Sequence, residues 1–92
     1  MVFEWDESKN RENILKHGVS FDEAQKAFYD PLKLILKDKK HSFQEDRFYC
    51  IGEIENEIIT VRFTFRDGNI RIFGAGYWRK ENLLYKKQNS LL

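Results

Sequence analysis

This chain has little of what staples, ligates or anchors. Its 92 residues include one cysteine, so no internal disulfide can form. Cys50 falls within an apolar stretch, where a packed thiol is expected and a reactive one is not. The two histidines and the lone cysteine are unclustered and give no zinc spacing, so neither metal nor cofactor is expected. No apolar run approaches the roughly 20 residues of a membrane helix. The opening Met1-Val2-Phe3-Glu4-Trp5-Asp6 lacks the basic start and apolar middle of a signal peptide. The expectation is therefore no membrane partner and a cytoplasmic address. No repeat, linker or low-complexity segment divides the sequence, which is long enough for one modest core and too short for two, so residues 1–92 read as one domain. Aromatics are plentiful: they make up 15% of residues, eight of them Phe, within 41% hydrophobic overall, and that richness excludes disorder.

The run Lys16-His17-Gly18-Val19-Ser20-Phe21 punctuates the first half. Gly18 suits the left-handed position after a helix, where a Cβ is penalised. Ser20 and Glu23 have capping-box spacing, and Val19 and Ala24 stand where a hydrophobic staple sits, so a second helix is expected from Phe21. Phe3-Glu4-Trp5 reads as a short strand. Asp6 is an N-cap for a helix over Glu7 to Lys16, expected to pack through a narrow face of Ile14 and Leu15. The second helix runs to Tyr29, with Phe21, Ala24 and Phe28 on its core side, and Asp30-Pro31 ends it. Strands follow over Leu32 to Lys37, Asp46 to Ile54, Glu57 to Arg66 and Ile70 to Ala75, with a loop at 38–42 and turns at Glu55-Asn56 and Asp67-Gly68. A last helix covers Arg79 to Gln88. The expected class is α+β, with two N-terminal helices on a curved antiparallel sheet of about four strands and a C-terminal helix. The terminal leucines Leu83, Leu84, Leu91 and Leu92 are open to two readings, packing on the sheet or forming a homodimer or partner surface.

A net charge of +1 hides an uneven distribution. From position 62 onward, Arg62, Arg66, Arg71, Arg79, Lys80, Lys86 and Lys87 stand against only Asp67 and Glu81. A basic side facing a polyanion would use such an imbalance, and a solvated basic helix would explain part of it. Alternation along the Glu57–Arg66 strand puts Ile59, Val61, Phe63 and Phe65 on one face and Arg62, Thr64 and Arg66 on the other. If the Asp67-Gly68 loop has two residues, Phe63 and Phe65 lie against Ile70 and Ile72, and Arg71 joins the arginines. Like charges so close are costly. Either carboxylates such as Glu45, Asp46, Glu53 or Glu57 neutralise them, or the patch is meant for an anion.

At this point the sequence resembles a known family over nearly its whole length. The residues Phe3-Glu4-Trp5-Asp6, Asn13, Lys16 to Phe21, Ala24, Phe28, Asp30-Pro31, His41-Ser42, Glu45, Arg47-Phe48, Thr64, Arg66 and Arg71-Ile72 are similar in order and spacing to the BrnT toxin ribonucleases. That resemblance implies a RelE-like fold and a metal-independent ribonuclease that blocks translation by cutting RNA. It also implies a BrnA-like ribbon-helix-helix antitoxin, which sequesters the toxin and through which alone operator DNA is bound.

Cutting RNA without a metal requires a base for the 2′-hydroxyl, cations for charge growing on the phosphorus oxygens, and an acid for the leaving 5′-oxygen. Arginine suits the cation task because it stays charged and engages phosphate with two parallel hydrogen bonds. Arg47, Arg66 and Arg71 are the candidates for the phosphate. Proton transfer leaves His17, His41 and Glu45 as the main choices, with Tyr85 or Lys16 following a shifted pKa. His17 is preferred over His41 because it sits at a fixed helix end, although a histidine there is often only a cap. Lys16, Arg62, Arg79, Lys80 and Tyr85 are the candidate RNA contacts, and Phe43, Tyr49, Tyr77 and Trp78 could stack on a base or serve the core. One departure stands out: Gly74-Ala75-Gly76 occupies a segment where the family typically reads Ser-Ala-Arg, so a strand-end arginine is replaced by Gly76. Glycine there would let a backbone or ligand approach closely. Two functions follow: an active toxin nuclease, or a RelE-like module with weak or no nuclease activity that binds an antitoxin-like protein or RNA.

Overall fold

Asp6 starts helix α1 (Glu7–His17) by accepting from the backbone N–H groups of Ser8 and Lys9, in a computed structural model that describes all 92 residues. Gly18 stops it at φ 70°, its N–H returning to the Ile14 carbonyl at 2.8 Å. Two residues later the Ser20 hydroxyl accepts from Glu23 N–H at 3.0 Å and opens α2 (Phe21–Ala24). The expected single helix to Tyr29 tightens at that point into a 3-10 turn, Gln25–Tyr29. Residues three apart are eclipsed in such a turn. Ala24 and Ala27 are thus both fully buried against the sheet, where Gly52 comes so close that a Cβ on it would lie 2.5 Å from the Ala27 carbonyl oxygen.

Helix α1 does not pack as its apolar residues suggest. Ile14 is 42% exposed and Leu15 87%, while Asn10 and Asn13 are buried. Asn10 Oδ1 accepts from the Phe21 N–H at 2.8 Å, one of the donors a helix start leaves without a partner. Asn13 donates to the Val19 carbonyl at 2.9 Å and accepts from the Ala75 N–H at 3.1 Å. Two amides thus dock α1 onto α2 and the sheet. Apolar periodicity is blind to this mode of attachment.

The strands are β1 (Phe3–Trp5), β2 (Leu34–Lys37), β3 (Arg47–Ile54), β4 (Glu57–Arg66) and β5 (Asn69–Gly76), in spatial order β1-β5-β4-β3-β2. The sheet therefore has five strands and is mixed, where about four antiparallel ones were expected. Strand β1 adds in parallel to β5, with Phe3 opposite Ile70 and Trp5 opposite Ile72. Nothing local in a three-residue strand announces which edge it will join. Both hairpin turns take positive φ at their two central residues, Glu55 and Asn56 at 48° and 70°, Asp67 and Gly68 at 53° and 80°. This is the twist that two-residue hairpins favour.

One sheet face buries the main core, in which Phe21, Ala24 and Phe28 meet Val61, Phe63 and Ile72. Each such large apolar side chain contributes roughly 1.5–3 kcal/mol on burial. Cys50 is packed there, and burial pushes its thiol up to about 12. On the other face, α3 (Arg79–Gln88) covers the end nearest the Glu55-Asn56 turn, where Ile51, Ile58 and Tyr85 form a second cluster with Leu34 and Leu84. Of the terminal leucines only Leu84 takes part, and Leu83, Leu91 and Leu92 are exposed. The Tyr85 hydroxyl donates to Asp30, which also accepts from the backbone N–H groups of Leu32 and Glu53 at 2.8 and 2.7 Å. Burial alone would raise the Asp30 carboxyl, but the bonds from Tyr85, Leu32 and Glu53 outweigh it and hold the group below the ordinary value of 3.8. Burial and that carboxylate push the Tyr85 hydroxyl well up. The far end of this face is uncovered. No helix is long and apolar enough to cross a membrane.

Candidate active site

The uncovered end gathers the arginines. The Asp67-Gly68 loop has two residues, so Arg66 lies opposite Asn69 and Arg71 opposite Thr64, and Arg71 shares a face with Arg62 and Arg66. Arg47, opposite Thr64 on the other side, joins them from β3. Glu45 lies between two guanidinium groups, 3.5 Å from Arg47 and 3.3 Å from Arg66, and Glu4 on β1 holds Arg71 at 3.2 Å. Asp46, another expected partner, pairs with Lys37 at 3.1 Å instead. A hollow of about 120 Å³ lies among Glu45, Arg47, Arg66 and Arg71, with Lys9 of α1 at its rim.

Neutralisation and anion binding are thus not alternatives here. Three arginines share two carboxylates, and Lys9 adds a further positive charge. Partly exposed ion pairs of this kind contribute about 0–1 kcal/mol each. Pairs this weak do not lock the guanidinium groups away from another anion.

A bulge extends the site. Register shifts between Arg62 and Phe63, so Ile72 faces Phe63, Gly74 faces Arg62, and Phe73 has no partner. Phe73 consequently turns to the polar side, where the Arg47 and Arg62 guanidinium carbons lie 4.5 and 5.5 Å from its ring centre. A second hollow of about 250 Å³ adjoins the first at Lys9 and Phe73, and is lined by Lys16, His17, Arg62 and Trp78. The rings of His17 and Trp78 lie 5.3 Å apart. Gly76 has its explanation here: a Cβ on it would come within 2.7 Å of the Trp78 ring. The space a side chain would fill is taken by an indole lying back over the strand end.

A third hollow of about 230 Å³ continues from Arg62 and Trp78 to His41, Tyr49 and Glu81. The loop at 38–42 contains a 3-10 turn, Lys39–His41, in which His41 Nδ1 bonds to Asp38 Oδ2 at 2.8 Å. Asp38 is 4% exposed. Burial alone would raise its carboxyl, but hydrogen bonds from His41 and Tyr49 hold it low. The Tyr49 hydroxyl is pushed up by burial and by Asp38. Ser42 Oγ bonds the Asp38 carbonyl and accepts from Arg47 N–H at 3.0 Å, tying the turn to the start of β3. Sequence reasoning passed over Asp38, and treated His41 as a loop residue. The Asp-x-x-His spacing, with Tyr49 pointing to the same face of β3 as Arg47, was the available signal.

The family described as "Ribonuclease toxin, BrnT, of type II toxin-antitoxin system" matches residues 5–82. The chain belongs to that family. No curated protein sequence matches it. BrnT proteins are ribonuclease toxins of type II toxin-antitoxin pairs, so a protein antitoxin is the partner that membership carries. The matched residues include every side chain of the three hollows and stop short of Tyr85.

Tyr85 is 1% exposed, belongs to the cluster under α3 and offers no surface to RNA. It was expected as an RNA contact or a proton-transfer group, but its burial against Ile51 and Ile58 and its bond to Asp30 make it a structural clamp. Arg79 and Lys80 are exposed at the start of α3 and line none of the three hollows. Lys16, His17 and Arg62 meet around the second hollow, and Glu45, Arg47, Arg66 and Arg71 around the first. No three His, Cys, Asp or Glu side chains converge in a metal-holding arrangement.

Proposed function

We propose that this BrnT protein is an RNA endonuclease that inhibits translation by cutting RNA, needs no metal ion, and is neutralised by a BrnA-like ribbon-helix-helix antitoxin that alone contacts operator DNA. One observation carries the reading: Arg47, Arg66 and Arg71 on one open sheet face, with only Glu45 and Glu4 between them. In this reading the three guanidinium groups take the scissile phosphate and stabilise the charge that grows on its oxygens during in-line attack. Glu45 keeps Arg47 and Arg66 at a fixed spacing until RNA replaces it. In the same reading Lys16, His17 and Arg62 carry the strand along the adjoining groove, and Trp78, which lines it, stacks on an unpaired base.

Induced expression in a bacterial host, read as growth together with RNA integrity, tests the reading. The wild-type protein should arrest growth and fragment RNA, and Arg66→Ala should abolish both while keeping its fold and its antitoxin. Cleavage by the purified protein should persist in EDTA. The ion pairs that already engage the arginines favour a second reading, a binding module without nuclease activity. No RNA cleavage by the wild-type protein would decide for the module.

A further inference from the structure

The third hollow contains a constellation that phosphate binding does not use. Asp38 is a nearly buried carboxylate that bonds His41 Nδ1 at 2.8 Å, and His41 and Tyr49 hold it low. Because Asp38 engages Nδ1, the free nitrogen of His41 is Nε2, and the ring is about half exposed at the hollow. Arg62 lines the same hollow with a buried Nε–H that has no partner. Tyr49 lies directly opposite Arg62, two residues and about 7 Å along β3 from Arg47. A titratable ring, aimed by a carboxylate, thus stands beside Arg62, in a turn that the Asp38 N–H and the Ser42 hydroxyl tie to the backbone of Arg47.

We propose that His41, aimed by Asp38, is the proton-transfer residue of this site, its Nε2 taking the proton of the RNA 2′-hydroxyl. The inference rests on the reading that the protein cuts RNA. As the O–H bond breaks and its proton joins the Nε2 lone pair, the 2′-oxygen forms a bond to phosphorus. The bond from phosphorus to the 5′-oxygen breaks, and that oxygen leaves with the electron pair and takes a proton from water. The products are a 2′,3′-cyclic phosphate and a 5′-hydroxyl, and the imidazolium returns its proton to the hydroxide left in solvent. Asp38 is a positioning residue: it fixes the ring's orientation and favours the imidazolium that forms. The other charged or titratable groups around the ring are Tyr49 on β3, Arg62 on β4, Glu81 on α3, and Lys39 and Lys40 in its own turn.

The test measures cleavage of an RNA by the purified full chain across pH, with the RNA both bare and in a bacterial cell-free translation mixture, for wild type, His41→Ala, His41→Gln and Asp38→Asn. Wild type should leave 2′,3′-cyclic ends at a rate that rises with pH and then levels. His41→Ala should lose about 10²–10⁴-fold, the usual contribution of a general base, lose that pH limb, and regain cleavage with added imidazole. His41→Gln, which keeps a hydrogen bond to Asp38 and hence the turn, should be equally inactive at an unchanged melting temperature. Asp38→Asn should slow cleavage and move the limb to lower pH. Cleavage within threefold of wild type in either His41 variant overturns the proposal, as does an inactive His41→Ala that imidazole fails to restore. Absence of cleavage by wild type in both settings overturns the proposal and the nuclease reading together, whereas the His41 outcomes overturn the proposal alone.

Discussion

Strands β3 and β4 present two unlike surfaces on a single face. Near the Glu55-Asn56 turn, Ile51 and Ile58 are sealed under α3 by Tyr85 and Leu84. At the opposite end, Arg47, Arg62 and Arg66 are open, with Tyr49 and Thr60 between the two zones. The main core behind them stays apolar throughout, from Ile59 through Val61 to Phe63. Length explains the contrast. Ten residues of helix span about 15 Å, whereas the ten residues of β4 span about 33 Å, so α3 can shield only about half of the strand it lies on. The site is thus defined by where a short helix ends as much as by the arginines themselves.

Substitutions can break this division or sharpen it. At the sealed end, Tyr85→Ala should lower stability by about 3–5 kcal/mol, the range for removing a large buried aromatic, measured by urea denaturation. Asn13→Ala leaves the Val19 carbonyl and the Ala75 N–H without partners and should lower stability by about 2–4 kcal/mol, read the same way. Tyr85→Phe should have a smaller effect, about 1–2 kcal/mol at neutral pH, with a signature in acid. The folded Asp30 carboxyl is depressed below 3.8, so its stabilisation is complete above that value and is lost as pH falls through the folded value. The melting temperature of wild type should therefore drop on acidification below about pH 4, and less steeply in Tyr85→Phe. Equal slopes would mean that Tyr85 does not clamp Asp30. At the open end, Arg66→Ala should change stability least, within about 1 kcal/mol, although it removes cleavage. A large stability loss there would make the arginines part of the scaffold and erase the distinction.

Much of the frame was legible in the residues. The Asp6, Gly18 and Ser20 signals placed the starts of both N-terminal helices, and the two-residue Asp67-Gly68 turn fixed the register that puts Arg71 on the face of Arg62 and Arg66. Local chemistry determines those features. Attachment was not legible: α1 docks through Asn10 and Asn13, and amides leave no periodic trace. The parallel pairing of β1 joins residues far apart in sequence, for which one chain contains no signal. Within the site, the bulge that turns Phe73 outward appears only as a break in the alternation after Ile72. Gly76 reads in the sequence both as a lost arginine and as room for a close approach, but nothing local tells that the group approaching is the indole of Trp78.

The pairing of β1 with β5 has a consequence for how the chain matures. Its contacts close a loop of more than sixty residues, Glu4 meeting Arg71 across the whole intervening fold. Distant pairings of this kind raise contact order and slow folding relative to a helical bundle of similar size. The groove draws on Lys9 at one extreme and Trp78 at the other. A nascent polypeptide halted before Trp78 thus holds all the residues of the arginine hollow and lacks the indole wall of the two hollows that adjoin it.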